Sequence, residues 1–109
     1  GTADETLFRQ NFASMELVDA NTWQPGAAGE NGVQFGQEPL LIMFDAKSGV
    51  DVRACIQNTQ GGGKLAFDQT VSFSAGSNEF PVGSFEPGTY VIRVIVDGVL
   101  VKNFPFVVK

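Results

Sequence analysis

Turn-forming residues punctuate this chain about every ten positions, and the runs between them alternate or are β-branched. This pattern limits the fold more than any other feature. Ser48-Gly49, Gly61-Gly62-Gly63, Gly76-Ser77, Glu86-Pro87-Gly88 and Asp97-Gly98 break the second half into short segments. Asp97-Gly98 is the strongest of these signals, since a two-residue hairpin turn needs positive φ at both central positions. No segment shows a sustained 3.6-residue apolar period. The pattern predicts an all-β, immunoglobulin-like β-sandwich of about seven antiparallel strands.

The strands follow from the runs. Residues 50–58, VDVRACIQN, alternate: Val50, Val52, Ala54 and Ile56 on one face, Asp51, Arg53, Cys55 and Gln57 on the other. Further strands are expected at 12–18, at 39–44, over Leu65 to Phe73, around Phe80 and Val82, from Thr89 to Val96 and from Val99 to Val108. Pro105 in the last run implies an edge position or a bulge. The expected core is Leu41, Met43, Val52, Ile56, Phe67, Val71, Phe73, Ile92 and Val94. Residues 4–11 read either as a short helix capped by Asp4, with Leu7 and Phe8 inside it, or as a lead-in strand, and residues 1–11 as a flexible or lead-in segment. Residues 19–38 hold Pro25, Gly26, Gly29, Gly32 and Gly36 and read as one long irregular loop, either functional or partly mobile.

The length of 109 residues suits a single domain spanning 1–109, and its 43% hydrophobic residues can fill one core. A net charge of −5 with seven scattered basic residues excludes a nucleic-acid binder, which needs clustered Lys and Arg. No apolar stretch is long enough to insert in a membrane. The chain opens on Gly1 rather than Met and reads as trimmed, leaving room for an export signal or a neighbouring domain ahead of it.

The chemistry-bearing residues are few. There is no histidine, which removes Ser-His-Asp and Cys-His catalysis and the usual zinc sites. The single cysteine, Cys55, sits mid-strand with Arg53 on its face; it reads as a small inert side chain, since a reactive thiol needs a stabilised thiolate. Asp45, Asp51, Asp68, Asp97, Glu79 and Glu86 fall in turns or on solvated faces, with no spacing that pairs two for acid–base work. Asp19, Asn21, Glu30 and Asn31 carry oxygen donors but lack the calcium-loop pattern. Gly61-Gly62-Gly63-Lys64 lacks the spacing of a phosphate cradle and reads as a turn. No cofactor, metal or catalytic residue is therefore assigned, and an enzyme is not expected.

The lone tryptophan, Trp23, is the residue to watch. It is expected either to fold back as a lid over one end of the sandwich or to stand exposed as a binding platform. In the second case Asp19, Asn21, Gln24, Glu30 and Asn31 are the candidate ligand-binding residues beside it. Tyr90, just after Pro87-Gly88, is expected to tether that turn through its hydroxyl.

The segment EFPVGSFEPGTYVIRVIVDGVLVKNFPFVVK, preceded by VRACIQNTQGGGKLAFDQTV, resembles the closing strands of bacterial immunoglobulin-like and fibronectin-type-III-like modules. In those modules a Pro-Gly-Thr-Tyr turn leads into an alternating strand, a short Asp-Gly turn and the last strand. The resemblance covers residues 50–109. It implies the fold, and an exported or cell-surface setting of the kind found in Bacteroidetes. It carries over no catalytic residue. The expected function is a non-catalytic accessory or interaction module, its partner another protein or a neighbouring domain. The alternative is a carbohydrate-binding module using Trp23.

Overall fold

Asp4 does cap a helix. Its Oδ1 accepts from Leu7 N at 3.0 Å, and α1 runs Glu5–Asn11 with Phe8 buried beneath it. The structure, a computed structural model, describes residues 1–109. Lys102 Nζ lies 3.2 Å from Glu5 Oε1 and 5.0 Å from the centre of the Phe8 ring, which ties α1 to the last strand.

Eight strands follow: β1 (Phe12–Asp19), β2 (Val33–Phe35), β3 (Leu40–Ala46), β4 (Val50–Asn58), β5 (Leu65–Phe73), β6 (Gly76–Gly83), β7 (Gly88–Val96) and β8 (Val99–Val108). They form two sheets, one ordered β1-β3-β6 and the other β2-β8-β7-β4-β5. The fold is an all-β sandwich. The seven strands expected from the turn pattern are present and pair antiparallel. The eighth, β2, is a three-residue strand inside the stretch expected to be one irregular loop, and it pairs parallel to β8. That stretch is pinned further by bridges Val18↔Pro25 and Ala27↔Gln34. Three residues flanked by glycines carry too little periodicity to announce a strand.

One shared core fills the space between the sheets. Val52, Ala54, Ile56, Ile92 and Val94 are fully buried, and Phe44 touches Phe12 and Phe73 at 5.1 Å between ring centres. Two expectations about the core are corrected. In β3 the residues facing the central cluster are Leu40, Ile42, Phe44 and Ala46; Leu41, although buried as expected, and half-buried Met43 lie on the other face. In β5, Phe67 is only half-buried and Val71 is exposed. That strand is the free edge of the five-stranded sheet, and the three-stranded sheet opposite is too narrow to cover it.

Asp97 and Gly98 take φ of 51° and 75°, the left-handed conformations the β7–β8 hairpin requires. Pro105 sits one residue before β8 begins to pair with β2, where that side of the strand has no partner needing an N–H. The Tyr90 hydroxyl donates to Glu86 O at 2.7 Å, and its ring stacks on Phe106 with centres 5.2 Å apart. The residue expected to tether the turn does so.

Candidate functional site

Asp19 ends β1 and organises the turn that follows. Its Oδ1 accepts from Asn21 N at 2.7 Å and Thr22 N at 3.2 Å, and its carbonyl accepts from Trp23 N at 2.8 Å. Asp19 N donates to Gln24 O at 2.9 Å and closes the loop. The geometry forces Trp23 to φ 62°, a left-handed conformation usually left to Gly or Asn. A large aromatic at such a position carries backbone strain of about 1–3 kcal/mol.

Trp23 is neither a lid over an end of the sandwich nor fully free. It is 50% exposed and borders a shallow groove on the outer face of the three-stranded sheet, with Glu16, Val18, Met43 and Asp45. The register lays out this face. Glu16 pairs with Met43 and Met43 with Glu79, while Ser14 pairs with Asp45 and Asp45 with Ser77. Strand alternation turns all of these outward. Val18 is buried on the same face, under the turn whose Pro25 bridges to it. β1, β3 and β6 carry Glu16, Asp19, Asp45 and Glu79 and neither Lys nor Arg. The face is therefore acidic, with Met43 and Trp23 as its apolar centre.

The other expected ligand residues are not gathered around Trp23. The Asp19 carboxylate is engaged in the turn, and Asn21 is exposed on it. Gln24 borders a different hollow, with Gly36, Glu38 and Lys109. Glu30 and Asn31 lie beside Thr59, Thr89 and Pro105. Sequence reasoning missed Glu16, Met43 and Asp45. The missing signal is the parity of Asp45 within β3: a charged residue at the end of an otherwise apolar strand marks which alternate positions face water, Met43 among them.

Chain comparison adds no relative. The chain matches no family model and no curated protein. The reading of the site therefore rests on its own side chains.

The Cys55 cluster on the outer face of the larger sheet is electrostatically quiet. Arg53 Nε and Nη2 donate to Asp68 Oδ1 and Oδ2 at 2.9 and 2.7 Å, and Cys55 Sγ donates to Asp68 Oδ1 at 3.4 Å. Burial first, then the hydrogen bond to Asp68, pushes the Cys55 thiol above its usual range, with Arg53 and Arg93 offsetting only part of this. Arg53, aimed at Asp68, does not make a thiolate. Cys55 should therefore label slowly with Ellman's reagent in the folded protein and rapidly once urea unfolds it; fast labelling of the native protein would contradict the structural role. The same ion pair holds the Asp68 carboxyl down to about 2. A carboxyl with a depressed folded pKa contributes stability above its unfolded value of about 3.9, and loses it as pH falls through the folded value. A carboxyl-carbon NMR titration should place the Asp68 midpoint near 2; a midpoint near that of a free aspartate would mean that the pair with Arg53 is not formed.

The strain at Trp23 is also testable. Trp23→Ala keeps the left-handed backbone and removes the half-buried ring, whereas Trp23→Gly removes both ring and strain. The glycine variant should be the more stable by about 1 kcal/mol in urea unfolding, because L-residues pay roughly that at left-handed φ. Equal stabilities would show that the backbone there relaxes freely.

Proposed function

We propose that this domain is a non-catalytic binding module whose binding surface is the outer face of the three-stranded sheet around Trp23. The observation that carries the reading is Trp23 itself: half-exposed and held at positive φ on a turn tied down by Asp19. Strain of this kind, spent on displaying a large aromatic, is characteristic of functional positions. Trp is also the residue most enriched at binding hot spots.

The chemistry of the face favours a protein partner presenting Lys or Arg. An indole face attracts a cation, and Glu16, Asp45 and Glu79 surround the centre with carboxylates. Met43 adds an adaptable apolar contact. The glycan reading has Trp23's exposed ring in its favour. Trp23 has no second ring beside it, however: the aromatic pairs of the molecule join Phe to Phe or Phe to Tyr. The two-sheet arrangement and the Tyr90–Glu86 tether support kinship with immunoglobulin-like modules, in which such a corner recurs. On that kinship the setting is an exported or cell-surface bacterial protein.

Trp23, the only tryptophan, is its own reporter. Titration with an oligo-arginine peptide should give a saturable change in its fluorescence that weakens with salt and is lost in Glu16→Gln/Asp45→Asn. A panel of neutral oligosaccharides should give none. A response to an oligosaccharide and not to the peptide would replace the protein partner by a glycan, and no response to either would end the reading.

A further inference from the structure

The sandwich has four free strand edges, and they are not equally protected. β6 ends one side of the small sheet and carries Pro81, Glu79 and terminal glycines, features that discourage pairing. β2 is three residues long, and β1 starts directly from α1 and carries Glu16 and Asp19. β5 is different. It is nine residues long, LAFDQTVSF, with neither Pro nor Gly, and it ends the five-stranded sheet with one side unpaired. Its only charge, Asp68, is already neutralised by Arg53 across to β4. Two of the molecule's four exposed large apolar residues, Leu65 at 48% and Val71 at 36%, lie on it, with half-buried Phe67 between them.

The sequence of β5 is also self-complementary. Gln69 is its centre. Phe67 and Val71 stand two positions to either side on one face, while a bulge past Phe67 pairs Leu65 with Gln57 and turns it to the other face. A second β5 laid antiparallel with Gln69 opposite Gln69 brings Phe67 against Val71 twice. On the other face it sets Asp68 against Thr70. Phe67–Val71 is apolar with apolar, Gln69–Gln69 and Asp68–Thr70 are polar with polar, and no carboxylate faces another. A slip that centres the pair on Asp68 instead opposes two carboxylates, which is destabilising.

We propose that two copies of this chain associate edge to edge through β5, antiparallel about a two-fold axis at Gln69, joining their five-stranded sheets into one continuous sheet. The contact is isologous and closes on itself, so it gives a dimer rather than a filament. It uses main-chain hydrogen bonds along the free edge, with the Phe67–Val71 pairs on the face the small sheet leaves uncovered. It leaves the Trp23 face free, so Trp23→Ala should not alter it.

Sedimentation velocity over a concentration series up to about millimolar covers the weak range expected of a single strand pairing. The full chain should form dimers, more tightly as salt rises, because each copy carries −5 and salt screens repulsion beyond about 8–10 Å. Val71→Lys, which sets a charge opposite Phe67, should weaken the dimer about tenfold or more. A second variant reads the register directly. In a Cys55→Ala background, Gln69→Cys should cross-link two copies under mild oxidation, and Thr70→Cys, whose like residue is offset, should not. A chain that stays monomeric at every concentration overturns the proposal. So does a dimer indifferent to Val71→Lys, or one that cross-links through Thr70→Cys and not through Gln69→Cys.

Discussion

Phe44→Ala should cost about 3–5 kcal/mol in urea or thermal unfolding, the range for deleting a buried phenylalanine. Phe44 is 1% exposed and joins the aromatic chain that holds the sheets together, with Phe12 and Phe73 at 5.1 Å and Phe80 at 6.4 Å. No neighbour can collapse into its space without breaking these contacts. A domain of this size has a total stability of about 5–15 kcal/mol, so the variant should be barely folded at 37 °C. Phe67→Ala, by contrast, should cost only about 1–2 kcal/mol, since its ring is half-buried on the edge strand. If the two costs were reversed, β3 and β5 would have the wrong faces turned inward.

Gly32→Ala should be the next most damaging change, at about 2–4 kcal/mol from strain and overpacking together. Gly32 has φ of 114°, which L-residues rarely adopt, and a Cβ there would stand 2.5 Å from Pro105 O. The atom it meets belongs to backbone, so one strand must move. The parallel pairing of Val33–Phe35 with β8 should open first, and faster amide exchange at those residues would show it. Gly61→Ala is the control: φ there is 64°, but nothing lies within 4 Å of the added carbon, so only the backbone term of about 1 kcal/mol remains. Equal costs at the two positions would mean that β2 does not dock on β8 through Gly32.

The alternation of VDVRACIQN by itself puts Val52 and Ile56 inside and Cys55 on the outer face, because one period-2 pattern has one solution. PLLIMF has no such solution. Apolar on both faces, it admits either parity, and Asp45 two residues past Met43 is the only mark of the outward one. β5 misleads for another reason. Its Phe67, Val71 and Phe73 do share a face, with Leu65 turned to the other by a bulge, but strand width is a property of the sheet opposite, and no local pattern reports that sheet β1-β3-β6 stops short. The site is legible only in part. Trp23 stands out as the lone tryptophan in a turn-rich stretch. Its neighbours Met43 and Asp45 come from a strand that meets it only through long-range pairing, and Glu16, as near in sequence as Glu30, is brought to it by the outward parity of β1.

Amide chemical-shift mapping tests the assignment of the binding face most directly. With an oligo-arginine peptide added to the labelled domain, the largest shifts should fall on the Trp23 indole N–H and on residues 14–18, 41–45 and 77–80, strand segments that share one outer face. Shifts confined to β4, β7 and β8, or no shifts at all, would contradict the claim that the domain binds through the face Trp23 displays.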